Sequence, residues 1–306
     1  MKLRELSLVD RRIFQRYLGL RASELSVYNF TAIYIWKKLF KIEWSLTDGN
    51  LCVFFTDRIG TFLYLSPLGK KISPVALEES FRLMHERNRR AEFCRIEYAQ
   101  EDELAQFTAL GYECLKKDGD YLCLRSDLAN LSGTGFKSKR SCVNYFTKHY
   151  DFTYSVFKRS DSRECLDLYR LWQRQRSTTH SDKIYRAMLG DTFVTLKVFL
   201  SACRSLGCQG RVVRVQGKIK AFSFGYHLNK DTFCILYEVA DLKFKGLAQF
   251  IFREFSAELK EYTYINIMDD SGMENLKKTK LSYHPQRMIP AYVIRENSVL
   301  GNHCRR

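Results

Sequence analysis

GRVVRVQGKIKAFSFGYHLNKDTFCILYEVADLKFKGLAQFIFREFSAELKEYTYINIMDDSGMENLKKTKLSYHPQRMIPAYV, residues 210–293, decides the fold of this chain. Two apolar runs flank the polar turn Leu228-Asn229-Lys230-Asp231, and a tighter turn at Gln216-Gly217 precedes them. Strands are therefore predicted at 211–215, 218–227 and 232–239, joined as a meander. Beyond Lys243-Phe244-Lys245-Gly246-Leu247-Ala248, the residues Phe250, Ile251, Phe255 and Leu259 recur at helical spacing, which predicts a helix over 246–261. A strand at 264–267, a helix at 273–281 and a strand at 287–294 complete the pattern. Pro290 inside the last strand points to an edge or a bulge.

The turn before the helix carries the first chemical signal. Gly246 and Ala248 keep side chains away from the first helical turn, where free N–H groups and the positive end of the helix dipole can receive a phosphate. The order strand, small-residue turn, helix, strand, helix, strand resembles the acyl-CoA N-acyltransferase (GNAT) fold. The pyrophosphate loop of that fold reads Arg/Gln-x-x-Gly-x-Gly/Ala. Here Lys243-x-x-Gly246-x-Ala248 departs at the first position. The loop residues Lys243, Lys245, Gly246, Leu247 and Ala248 are the candidate donor site, the alternative being a tightly packed helix start.

The flanking segments sharpen the resemblance. Tyr264-Ile265-Asn266-Ile267, and the run from Gly272 through Leu276, Lys277, Lys278 and Lys280 to Tyr283-His284-Pro285, resemble a bacterial family related to the C-terminal catalytic domain of phosphatidylglycerol lysyltransferase. So do the early Leu25-Ser26-Val27-Tyr28-Asn29-Phe30-Thr31 and the central Lys137-Ser138-Lys139-Arg140-Ser141-Cys142-Val143-Asn144-Tyr145-Phe146. The resemblance spans nearly the whole chain. It implies an α+β fold of two tandem GNAT-like domains, each a mixed, mostly antiparallel sheet flanked by helices. It also implies kinship with enzymes that move an aminoacyl group from aminoacyl-tRNA.

Composition bounds the rest. A chain of 306 residues is long enough for two ordinary domains. No run approaches the roughly 20 apolar residues of a membrane span, and the N-terminus lacks an apolar core of signal-peptide length. A cytoplasmic protein is expected, acting from the membrane surface if its acceptor is a lipid. The ten cysteines are scattered without metal-ligand spacing, so no metal site is expected and reduced, buried thiols are. The formal charge of +16 is uneven: 20 Lys and Arg face 18 Asp and Glu in residues 1–131, against 30 and 16 in residues 132–306. The second half should therefore carry the surface for a polyanion, whether tRNA, an anionic membrane surface or CoA.

Working outward, helices are predicted at 6–18 and 26–39, strands at 41–46, 51–56 and 61–65, and a helix at 74–88 with proline in its first turn. A strand at 94–98, a helix at 101–110 and strands at 112–116 and 120–124 close a first half that mirrors the second. Ser66-Pro67-Leu68-Gly69 stands where the second half has its Gly246 turn, so 1–131 reads as a degenerate GNAT-like domain. Ser132-Gly133-Thr134-Gly135 marks the boundary, and 132–306 is the domain with the donor site and basic surface. Residues 136–150 then form the strongest basic helix, with Lys137, Lys139, Arg140 and Lys148 interleaved with aromatics, a composition suited to phosphate backbones. A strand at 152–157 and helices at 163–175 and 185–205 follow. His180, in the polar segment between those helices, falls by position over the acceptor of a GNAT layout.

Acyl transfer needs a docked donor, a group to take the acceptor proton and stabilisation of the tetrahedral oxyanion. Glu238 ends the third meander strand beside the donor loop, and its apolar neighbours Tyr237 and Val239 should raise its pKa, which suits a general base. Asp269 and Asp270 follow the strand at 264–267 and could bind an acceptor ammonium or cap the next turn. Lys277, Lys278 and Lys280 precede Tyr283 and His284, either of which could protonate the leaving group. Three functions remain open: aminoacyl transfer from aminoacyl-tRNA to a lipid headgroup or amine, with no tightly bound cofactor; acyl transfer from acyl-CoA; or non-catalytic binding of RNA or anionic lipid.

Overall fold

The computed structural model describes residues 1–179 and 182–297. In chain order the elements are β1 (Arg4–Glu5), α1 (Arg11–Leu18), α2 (Phe30–Tyr34), β2 (Lys41–Thr47), β3 (Asn50–Thr56), β4 (Thr61–Leu65), α3 (Pro74–Arg87), β5 (Arg95–Ala99), α4 (Leu104–Ala109) and β6 (Tyr112–Leu124). There follow α5 (Arg125–Asn130), α6 (Lys137–His149), β7 (Phe152–Val156), α7 (Ser162–Thr179), α8 (Lys183–Leu206), β8 (Gln209–Val215), β9 (Lys218–Asn229), β10 (Thr232–Ala240), α9 (Leu247–Glu258), β11 (Tyr264–Asn266), α10 (Glu274–Leu281) and β12 (Arg287–Glu296). Most expected elements are present. Residues 26–39 are the main exception: only Phe30–Tyr34 is helical, begun by the Asn29 side chain accepting from the Thr31 N–H. The aromatic stripe there is core, with Tyr28, Phe30 and Tyr34 all buried. Residues 112–124 form one strand rather than two.

The chain divides into two compact units, one of Met1–Gly119 with the residues from Ile289 onward, the other of Asp120–Met288. The boundary expected at 131/132 thus lies elsewhere. Residues 120–131 go with the second unit, because the end of β6 pairs with β11. The final strand goes with the first unit, because β12 pairs with β5.

In the first unit the strands run β1-β2-β3-β4-β5-β12, antiparallel except for the parallel pair β4/β5. Its core is aromatic: Phe14 packs edge-on against Phe30 and Trp44, and Phe55 stacks on Tyr64 at 4.1 Å. In the second unit the strands run β6-β11-β10-β9-β8-β7, antiparallel except for β10/β11. Each unit is therefore a mixed, mostly antiparallel sheet with one parallel pair, as the α+β reading requires. Among the described residues no helix is long and apolar enough to cross a membrane.

Helices α9 and α6 cover one face of the second sheet. Phe250, Ile251 and Phe255 of α9, and Val143 and Phe146 of α6, join one buried cluster with Phe233, Ile235 and Ala240 of β10. Phe146 is fully buried between Phe152 at 5.1 Å and Phe250 at 5.0 Å. Removing an aromatic so placed costs about 3–5 kcal/mol, so α6 is an integral layer and not a loose connector. The opposite face is covered by α8, whose Phe199 packs on Phe224 and Tyr237.

Candidate active site

The site grows from a split in the second sheet. Strands β10 and β11 share three parallel rungs, Thr232–Tyr264, Phe233–Ile265 and Cys234–Asn266. Beyond them β10 continues along β9 to Ala240, while the other chain turns away through Met268 and Ser271, both at positive φ. Buried polar groups hold that turn. Asn266, fully buried, donates its amide to Asp120 at 2.8 Å and accepts from the Met268 N–H at 2.7 Å. Asp270, also buried, accepts from the Tyr121 hydroxyl and from the Gly272 N–H at 2.9 Å. The Lys280 ammonium donates to the carbonyls of Ile267 and Met268. Groups so deeply placed must be bonded, because an unpaired partner here would cost about 1–3 kcal/mol.

Glu238 reaches this split because of an irregularity in its strand. The pairing of β10 with β9 shifts between Ile235 and Tyr237, leaving Leu236 as one extra residue. Ile235 faces the α9 cluster, whereas Tyr237 turns to α8, donating to Thr195 Oγ1 at 2.9 Å. Without the bulge, strict alternation would keep residue 237 on the face of Ile235 and send Glu238 towards α8. With it, Glu238 shares a face with Ala240, on the side of α6 and α9. There burial pushes its carboxyl up to about 7, opposed by the charges of Lys139 and Lys280. It nevertheless keeps part of its surface open to solvent, as a group in a recess does. Tyr283 is buried within range of the Glu238 charge. Its hydroxyl is held well above the ordinary range by burial and by the Glu238 charge, so it remains a proton donor near neutrality.

Lys139 completes this group. Its ammonium donates to Ser282 Oγ at 2.7 Å and lies 4.2 Å from the centroid of the Tyr283 ring. Burial lowers its pKa. Lys139 and Tyr283 thus meet, and their charges and that of Lys280 act on Glu238 or are acted on by it, from three elements: α6, β10, and α10 with the turn after it. A carboxyl able to take a proton near pH 7, beside a protonated tyrosine and an ammonium, has the parts of an acyl-transfer site.

The candidate donor loop lies at the start of α9. Gly246 is at φ 85°, and a side chain there would run into the Cys142 carbonyl of α6. Its glycine serves close packing as well as the turn. Leu247 is fully buried and offers the loop only its backbone, while Ala248 is half-buried. Lys243 and Lys245 are exposed, the latter with its ammonium 4.6 Å from the Tyr145 ring centroid. Sequence reasoning missed what shapes the entry to this loop. Asp241, buried, accepts from Gln175 at 3.0 Å, from the Lys243 N–H at 3.1 Å and from Lys220 at 3.2 Å. Its signal was an Asp directly after an apolar strand and before a turn.

Other expected site residues are placed differently. Asp269 accepts from the N–H and hydroxyl of Ser271, each at 3.1 Å, forming the turn, and its charge acts on Lys280; Asp270 is a fastener of the β6–β11 region. His284 is exposed, its ring 5.0 Å from that of Phe136 and against Gly135, so it packs on the segment before α6. Arg140 donates to the carbonyls of Leu131 and Gly133, closing the end of α5, so its charge is spent inside the protein. Lys137, Lys148, Lys277 and Lys278 are exposed, with Lys277 3.9 Å from Glu274. His180 lies outside the described residues. Among the described residues no cluster of His, Cys, Asp or Glu could hold a metal ion. In the first unit, past the β4/β5 parallel pair, buried Glu103 accepts from Ser66 at 2.5 Å and from the Gln100 N–H at 2.9 Å and pairs with Arg21 at 2.7 Å. That point is closed by its own ion pair.

Comparison with known proteins bears on family and fold. The family model described as phosphatidylglycerol lysyltransferase, C-terminal, matches residues 20–295. A conserved protein of unknown function from Bacteroides thetaiotaomicron VPI-5482 superposes with a TM-score of 0.85 at 25% identity, covering 97% of this chain and all of that one. L-PGS from Bacillus licheniformis superposes at 0.64 and 15% identity, covering 95% of this chain and 93% of that one. A tandem GNAT protein from the clavulanic acid biosynthesis pathway superposes at 0.52 and 8% identity, over 96% and 97%. No curated protein matches. The fold is therefore that of tandem GNAT-like acyltransferases.

Proposed function

We propose that this chain, which belongs to the phosphatidylglycerol lysyltransferase C-terminal family, transfers an aminoacyl group from aminoacyl-tRNA to an amine or a lipid headgroup. Family and fold support an acyltransferase. The observation that carries the reading furthest is Glu238, aimed by a bulge into the sheet split and raised to about 7 beside Tyr283 and Lys139. In the proposed step the acceptor nitrogen or oxygen attacks the ester carbonyl of the charged tRNA and gives its proton to Glu238. The new bond to carbon forms, the ester C–O bond breaks, and the tRNA 3′ (or 2′) oxygen leaves with a proton, for which Tyr283 is the nearby donor. The ester is already activated, so no further energy source is needed. A carbonyl bound with its oxygen towards Tyr283 and the Lys139 ammonium would have its developing negative charge stabilised there.

The basic excess of the second half favours tRNA as the donor carrier. At the α9 turn the Cys142 carbonyl presents an acceptor atom against Gly246, an unfavourable neighbour for a pyrophosphate. The CoA-dependent reading rests on the half-buried Ala248 and the free N–H groups expected in the first turn of α9. The deciding experiment incubates purified protein with tRNA charged with radiolabelled amino acids. Phosphatidylglycerol vesicles and small amines serve as acceptors, with labelled acetyl-CoA in parallel. Label should move from tRNA to an acceptor, at a rate rising with pH through about 7 and lost in Glu238→Gln. Transfer from acetyl-CoA alone would assign the CoA reading. Transfer from neither would leave a binding module on this fold.

A further inference from the structure

We propose that the outward face of the α7–α8 pair is a docking surface for the sugar-phosphate backbone of RNA. The two helices run antiparallel, tied by the Tyr169 hydroxyl to the Leu189 carbonyl at 2.8 Å and by Arg186 to the Ser177 carbonyl at 3.1 Å. Arg163, Arg170 and Arg174 are exposed at spacings that put them on one stripe of α7, and Arg186, Lys197 and Arg204 do the same on α8. The stripes meet at Phe193. The guanidinium of Arg170 lies 5.0 Å and the ammonium of Lys197 4.9 Å from its ring centroid, and the ring itself stacks on Tyr169 at 5.7 Å. Residues 186 to 204 span about 27 Å of helix, long enough to meet several phosphates.

The charge on this face is left largely unneutralised. Asp167 pairs with Arg170 at 3.0 Å, but among the described residues the other five cations form no ion pair. Asp191 is exposed along the pair as well, Asp182 caps α8 through the N–H groups of Ile184 and Tyr185, and Glu164 of α7 is paired with Arg214 at 2.9 Å. The contrast is with α6, the most basic helix by sequence, where Arg140 and Lys139 are occupied inside the protein. Six like charges held together repel one another, a cost that a polyanion would relieve. A lipid surface is the less suited polyanion. Membrane-binding helices set large apolar side chains beside their cations, and among the described residues of this pair only Ile184 is a large exposed apolar one. It sits two residues from Arg186, off the cationic stripe.

The inference rests on the aminoacyl-tRNA reading only in choosing tRNA as the RNA. Its test uses the triple variant Arg163→Gln, Arg174→Gln, Lys197→Gln in the full chain, with thermal melting to confirm the fold. Binding of fluorescein-labelled deacylated tRNA is followed by anisotropy over a range of salt. Each phosphate contact contributes about 0.7–0.9 to the slope of log K against log salt, so losing three should flatten it by about 2 and weaken binding about 100-fold near 0.1 M salt. Lys277→Gln with Lys278→Gln should leave both nearly as they were. Unchanged affinity and slope in a folded triple variant would overturn the proposal, as would wild-type protein that binds no tRNA. Loss of binding to phosphatidylglycerol vesicles with tRNA binding intact would overturn it in favour of a lipid surface. If the triple variant loses tRNA affinity but wild type transfers nothing, the docking face stands and aminoacyl transfer falls. If transfer proceeds with an unchanged KM for charged tRNA in the triple variant, the reverse holds.

Discussion

Glu238→Gln should make the protein more stable and less active at once, and the gain should depend on pH. Burial moves the carboxyl from 4.5 to about 7 in the folded chain. A group whose folded pKa is raised adds stability that is fully present below its unfolded pKa and is lost as pH rises through the folded one. Glutamine, of nearly the same shape and always neutral, loses nothing over that range. At pH 4 the two proteins should therefore unfold alike. By pH 8 the variant should lead by up to about 3 kcal/mol, the free energy of a displacement of that size. Glu238 retains some exposure, so solvent screening sets this as a ceiling. For a unit of this size such a gap raises Tm by roughly 5–10 °C. Paired thermal melts at pH 5 and pH 8 read the gap directly, and loss of a general base should slow transfer by about 100- to 10,000-fold. A variant no more stable than wild type at pH 8, or equally stabilised at both pH values, would show that Glu238 is not held in a desolvated recess. The role as base would fall with it.

Two further substitutions separate chemistry from packing. Lys139→Met removes a cation that favours ionised Glu238 and breaks the bond to Ser282, so the ascending, acid-side limb of the pH–rate profile should move to higher pH. The rate at pH 7 should fall about 3- to 10-fold, and an unmoved limb would detach Lys139 from Glu238. Gly246→Ala combines a left-handed backbone with a clash against the Cys142 carbonyl, so chemical denaturation should show a loss of about 2–4 kcal/mol even with no donor present. Wild-type stability in that variant would contradict the close approach of α6 to the turn.

The sequence signals that survived best were local and periodic. The meander at 211–239 and the α9 helix follow from apolar spacing, and they place Glu238 at the end of a strand beside a small-residue turn. Partners were far less legible. Arg140 and Lys148 look alike in a charge count, yet one is bonded to carbonyls before α6 and the other is exposed, because pairing depends on atoms brought in by the fold. Asp269 and Asp270 are adjacent and chemically identical. The turn through Met268 and Ser271 exposes the first to a local hydrogen bond and buries the second against Tyr121. The last strand reads as a strand, but nothing local names β5 as its neighbour, so its place in the first unit was hidden.

The direction of Glu238 shows the limit most sharply. Alternation in FCILYEVA gives it the face opposite Ile235, towards α8 and away from α6. One unpaired residue at Leu236 reverses that, and the strand pays for it with an interrupted ladder against β9. A feature that weakens the sheet and moves a single carboxyl from one face to the other is the kind of local inconsistency expected where function overrides folding. Apolar flanks in the sequence pointed to a raised pKa for Glu238, but Tyr237 and Val239 turn to the other face of the strand. The desolvation comes from the face covered by α6 and α9, where Tyr283 is also buried, so residues brought in by the fold from some 100 positions earlier in the chain to some 45 positions later, not the immediate neighbours, set the proton affinity on which the proposed chemistry depends.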